Sequence, residues 1–158
     1  MNLLNKNLSV TGLLLAVVIV GDVATARAGT PTAPSRWATL EAIHQLENPH
    51  NVTTPGRFGE LGAYQFRPST WRMHTSIPFE RALERKISDE VAIKHYEWLK
   101  SRLVSAGLPA TCYNIALAWN GGVDAVVRGQ APAVAHDYAE RASNTAVRLN
   151  GRAVASLH

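Results

Sequence analysis

Leu46–Trp71, LENPHNVTTPGRFGELGAYQFRPSTW, is the stretch on which the reading of this chain turns. It opens on a carboxylate, Glu47, at the end of an apolar-periodic run. Nineteen residues rich in Gly, Pro, Asn and Thr follow, from Asn48 to Phe66. A second carboxylate, Glu60, lies inside them, two residues before Gly62-Ala63-Tyr64-Gln65. Two acids joined by a turn-rich excursion point to acid/base chemistry on a substrate lying between helices.

Upstream, Ser35 is a candidate N-cap for a first helix. Trp37, Leu40, Ile43, His44 and Leu46/Glu47 recur at spacings of three and four, so they share one face. That places Glu47 at the C-terminal end of a helix, where Pro49 stops it. The helix dipole and burial both disfavour a charge there, and both raise the pKa. A general acid working near neutral pH needs such a shift.

Downstream, Arg57-Phe58 and Ala63–Phe66 are the strand candidates of a small β or loop element. Pro68 and Pro78 each open a short helix. Ser88-Asp89-Glu90 reads as the start of a long central helix that stops at Gly107, with Ala92, Tyr96, Leu99 and Leu103 in line. Cys112–Trp119 is apolar nearly all round, as a buried helix is, and Asn120-Gly121-Gly122 ends it. Asp124–Arg128 is a further short turn. His136–Leu149 is a last amphipathic helix closed by Gly151. The fold class is therefore predominantly α, α+β only through a minor β/loop element.

The N-terminus reads as a leader. A short polar start with Lys6 precedes the apolar run Leu8–Val20, which is too short to span a bilayer comfortably. Ala26-Arg27-Ala28 follows as a small-x-small site, so residues 1–28 are expected to be a signal peptide cut after Ala28. Residues 29–34 are then a linker, 35–150 one catalytic-sized domain, and 151–158 a loose tail. Export makes the mature protein periplasmic or secreted, with no stable membrane insertion after cleavage.

The formal charge of the whole chain is +4, and removing Lys6, Arg27 and Asp22 with the leader lowers it by one. A mildly basic exported chain favours an anionic partner. Its charges come singly or in pairs without aromatic-basic interleaving, which argues against nucleic acid. Cys112 is the one cysteine, so no internal disulfide is possible. Its apolar surroundings suit a buried, inert thiol. His44, Glu47 and His50 lack a metal-ligand spacing, and neither metal nor cofactor is expected.

Four ordered stretches resemble the soluble lytic transglycosylase domain of the lysozyme-like superfamily. They are Ile43-His-Gln-Leu-Glu47-Asn48; Gly59-Glu-Leu-Gly62-Ala-Tyr-Gln65-Phe66-Arg-Pro68-Ser-Thr-Trp71; Ala116-Leu-Ala-Trp119-Asn120-Gly-Gly-Val-Asp-Ala125-Val126; and the late helix around Asp137-Tyr138. Each is weak alone, and their order and spacing over residues 36–149 carry the resemblance. It implies a lysozyme-like helical domain with a substrate cleft. It implies a monomer acting on peptidoglycan glycan strands at the β-1,4 bond between N-acetylmuramic acid and N-acetylglucosamine. Glu47 would be the general acid, Gln65 and Asn120 would hydrogen-bond sugar substituents, and Tyr64 and Tyr138 would line the cleft.

The chain also departs from that pattern. Asn48 stands where the family usually has Ser, and Trp119 where it has Tyr. Glu60 stands where it usually has Ala, a position at which animal-type lysozymes carry their second carboxylate. A cleft-facing Glu60 would permit hydrolysis as in a muramidase. A Glu60 facing solvent, or paired with Arg57 or Arg67, would leave a single-acid transglycosylase. As bare residues, Glu47 also fits an ordinary helix end, and Gln65 and Asn120 fit loop and helix caps. A catalytically idle wall-binding or secretion-apparatus scaffold is the alternative outside enzymology.

Overall fold

A computed structural model describes residues 33–156, so the expected leader and most of the linker lie outside the described residues. Ser35 caps the first helix as its sequence predicts. Its hydroxyl accepts from the Ala38 N–H at 3.1 Å, and α1 runs Arg36–Glu47. After a long loop come α2 (Pro68–His74), a 3₁₀ turn (Phe79–Leu83), α3 (Arg85–Ser105), α4 (Cys112–Gly121), α5 (Val123–Val127) and α6 (Ala133–Ala155). The chain is predominantly helical. Among the described residues the β element reduces to one antiparallel bridge, Leu61 to Phe66. Arg57-Phe58 forms no strand. No described helix is long and apolar enough to cross a membrane.

α4 lies against α6 most extensively and also touches α1, α3 and α5. Its Ile115 and Ala116 are fully buried among Leu99 and Leu103 of α3 and Ala139 and Ala142 of α6. Ala38, Ala42, Cys112 and Ala146 form a second buried cluster, where small side chains let α1, α4 and α6 approach closely. Cys112 is a free thiol in that seam, and burial pushes its pKa up, which keeps it unreactive.

α3 ends in a Schellman motif: Leu108 N–H donates to Leu103 O, Gly107 N–H donates to Val104 O, and Gly107 takes φ +76°. Its start differs from the sequence expectation. The helix begins at Arg85, and Ser88 lies inside it, fully buried, its hydroxyl without a partner among the described residues. Trp37 also differs, being 57% exposed. The buried arc of α1 centres on Thr39 and Ile43, and Trp37 is about 200° of helix away from Thr39. α6 begins three residues earlier than its periodicity implies and continues through Gly151 to Ala155. Most of the tail expected to be loose is thus helical, since one Gly lowers helix propensity without breaking the ladder.

The loop between α1 and α2 is held from both sides. The buried Asn48 amide donates to Val52 O at 2.9 Å and Gly62 O at 3.2 Å, and its Oδ1 accepts from Val52 N–H at 2.8 Å. Gly62 takes φ +79°, and a Cβ there would lie 2.0 Å from Ala82 O. Only glycine lets the turn seat against the 3₁₀ segment. Gly59 has the same backbone sign, φ +78°, with nothing within 4 Å of a Cβ. Gly62→Ala should therefore destabilise the protein by ~3 kcal/mol or more, and Gly59→Ala by ~1 kcal/mol. Urea denaturation checks this, and equal costs at the two sites would contradict the packing described.

Candidate active site

Glu47 closes α1, and its side chain reaches a cavity of about 590 Å³. Glu60, Tyr64, Gln65 and Phe66 from the loop line the same cavity, with Thr70 of α2, His95 of α3 and Trp119, Asn120 and Gly121 at the end of α4. A second cavity of about 440 Å³ shares Thr70, His95, Trp119, Gly121 and Gly122 and continues to Met73, Trp98 and Arg128.

The two carboxylates experience opposite environments. Burial raises the pKa of Glu47, a hydrogen bond from the Tyr138 hydroxyl lowers it, the negative charge of Glu60 raises it, and Arg141 lowers it. The net shift is upward. The Tyr138 O–H donates to Glu47 Oε1 at 2.8 Å. For Glu60, burial also raises the pKa, but hydrogen bonds from backbone N–H groups and from Arg67 outweigh it and the net shift is downward. Its Oε2 accepts from Phe58 N–H at 2.8 Å and its Oε1 from Arg67 Nε at 3.3 Å. Glu60 thus both lines the cavity and pairs with Arg67; Arg57 is not its partner. The two acids thus differ in proton affinity, Glu47 binding a proton more tightly than Glu60.

The remaining sequence-predicted residues take distinct positions. Tyr64 is a wall residue: its ring packs 6.0 Å from Trp119 and 5.9 Å from Phe66 between centroids. Its hydroxyl donates to Asp89 Oδ1 at 2.7 Å, so it offers the cavity a ring face and no hydrogen bond. Burial, and then Asp89, push that phenol further up from its ordinary range. Gln65 sits at φ +45°, its amide donating to Gly62 O at 3.0 Å. Gly56 makes room for it, since a Cβ there would lie 2.9 Å from Gln65 Oε1 and 2.6 Å from Glu60 Oε2. Asn120 is exposed at the rim. Tyr138 is buried and supports Glu47 from behind rather than forming part of the cavity wall.

Some lining was not legible in the motifs. His95 pairs through its Nδ1 with His74 Nε2 at 2.9 Å, stacks on Trp98 and meets Trp119 edge-on at 4.7 Å. Burial, and secondarily His74, push its pKa down to about 3, so it is a neutral wall. Its burial beside His74 depends on α2 lying against α3, which periodicity does not specify. Phe58 stood out in the sequence only as part of the Arg57-Phe58 strand candidate, not as a lining residue. No three His, Cys, Asp or Glu side chains converge as a metal site among the described residues. Comparison with protein-family models, curated proteins and solved structures finds no significant match.

Because folding raises the pKa of Glu47, the folded state binds its proton more tightly than the unfolded chain. The stability tied to that proton is complete below the ordinary carboxylate pKa and is lost as pH rises through the folded value. Glu47→Gln should accordingly be more stable than wild type at about pH 8, with the difference fading toward about pH 4. Thermal denaturation across pH tests this, and a variant destabilised at the higher pH would contradict the burial argument.

Proposed function

We propose that this chain is a peptidoglycan-cleaving glycosidase with a lysozyme-like helical domain, acting as a lytic transglycosylase at the β-1,4 bond after N-acetylmuramic acid. The observation that carries this reading is that one cavity pairs Glu47, whose pKa burial raises, with Glu60, whose pKa its hydrogen bonds lower. Export by the N-terminal leader to the periplasm or outside the cell belongs to the same proposal.

In the mechanism, Glu47 gives its proton to the glycosidic oxygen as the bond to C1 breaks, with the positive charge developing on the muramoyl ring. Glu47, now a carboxylate, accepts the proton of the C6 hydroxyl of the same sugar. That oxygen forms the new bond to C1, so the product is a 1,6-anhydro ring and no water is consumed. Tyr138 holds Glu47 Oε1 throughout, which fixes the carboxyl orientation for both transfers. The exposed Asn120 amide and the rim side of Gln65 can take sugar acetamido and hydroxyl groups, and the Tyr64–Trp119 surface supplies an apolar wall. The second cavity beyond Trp119 adds room for neighbouring sugars.

Glu60 supports this single-acid reading because its oxygens already accept from Phe58 and Arg67, and its lowered pKa makes it a weak base toward water. Its charge also raises the pKa of Glu47. The second reading, hydrolysis with Glu60 as the other carboxylate, is favoured by one observation: Glu60 lines the same cavity.

Glu47→Gln should reduce release of soluble muropeptides from purified peptidoglycan by about 10³-fold while leaving the helical circular dichroism intact. Undiminished release would overturn the assignment. Glu60→Gln removes a charge that raises the Glu47 pKa, so the alkaline limb of its rate profile should move to lower pH, with a loss of less than about tenfold. A loss in Glu60→Gln as large as that in Glu47→Gln would favour the hydrolytic reading.

A further inference from the structure

Phe58 stands 65% exposed on the lip of the cavity that holds Glu47. A single exposed aromatic is ordinary on a protein surface. This one is flanked by two cations: the guanidinium carbons of Arg57 and Arg67 lie 5.3 and 5.2 Å from its ring centroid. All three side chains line the cavity. Their loop is tied down by Gly56 N–H to Glu60 O at 2.9 Å, Gly59 N–H to Gly56 O at 3.0 Å, and Phe58 N–H to Glu60 Oε2 at 2.8 Å.

The two arginines differ in one respect. Arg67 is paired with Glu60, whereas Arg57 has no acidic partner among the described residues. Around Phe58 the lip holds two guanidiniums, Arg57 and Arg67, against one carboxylate, Glu60. Contact with the Phe58 ring favours both guanidiniums at the lip through the quadrupole of the ring. Arg57 keeps its fork of N–H donors, the geometry that matches a carboxylate bidentately.

We infer that Arg57, positioned against Phe58, is a carboxylate-binding subsite that takes an anionic substituent of the glycan lying over Glu47. This rests on the glycosidase reading for its substrate class. The carboxylate has two sources in peptidoglycan: the stem-peptide acids of the intact polymer, and the lactyl group exposed when an amidase strips the stems. Chitin carries neither and serves as the neutral polymer.

The test is co-sedimentation with insoluble polymer in the Glu47→Gln background, which holds a strand without cleaving it. Adding Arg57→Gln should weaken binding to peptidoglycan about tenfold, remove part of the salt dependence, and leave binding to chitin unchanged. Phe58→Leu retains an apolar contact without the ring and should show a smaller loss on the same polymer. Loss on intact strands alone assigns the stem acids, and loss on stripped strands assigns the lactyl group. Equal binding with and without Arg57, an equal loss on chitin, or no sedimentation with either polymer would overturn the subsite. Muropeptide release by the wild-type protein is scored separately. A protein that releases nothing yet loses peptidoglycan binding on Arg57→Gln keeps the subsite and loses the enzymatic reading.

Discussion

A carboxylate half-buried at the negative end of a helix is the constraint on which the site depends. Glu47 ends α1, where unsatisfied carbonyls and low solvent access both work against its charge. The fold supplies it with one hydrogen bond, from Tyr138 on α6, 91 residues away in the chain. That contact exists because α1 and α6 are brought together through the seam of alanines and Cys112. The packing of three helices therefore fixes the orientation of one carboxyl group.

The second constraint is the rigidity of the loop opposite. Asn48 ties the end of α1 to Val52 and Gly62, and Gly62 seats against Ala82 with no space for a side chain. Glu60 is thereby held on the cavity with its oxygens engaged by Phe58 and Arg67. Its charge acts on Glu47 without Glu60 itself being a strong base. Asn48 thereby serves as a latch between α1 and the loop.

Much of the helical frame could be read from periodicity and caps: Ser35, the Gly107 stop, the apolar Cys112–Trp119 run and the Asn120-Gly-Gly end all appear where local chemistry puts them. The position of Glu47 at a helix end belongs to the same class of signal. Features set by tertiary contact were not legible. Ser88 has a capping side chain, yet burial beside Gly62 places it inside α3. The resemblance alone placed Tyr138 on a cleft wall; spacing along α6 gives its face but not Glu47, which it meets across the seam. Arg57 is nearer Glu60 in sequence than Arg67, and only the turn geometry selects Arg67. Gly151 looked like a stop, but α6 runs on through it.

The central claim is that Glu47 acts alone on the reacting bond, with Glu60 held as a charged neighbour. Mass spectrometry of the soluble products formed by the wild-type protein from purified peptidoglycan tests it most directly. The account predicts muropeptides ending in 1,6-anhydro-N-acetylmuramic acid, each lighter by one water than its hydrolysed counterpart. Products ending in reducing N-acetylmuramic acid would show that water attacks, and would contradict it.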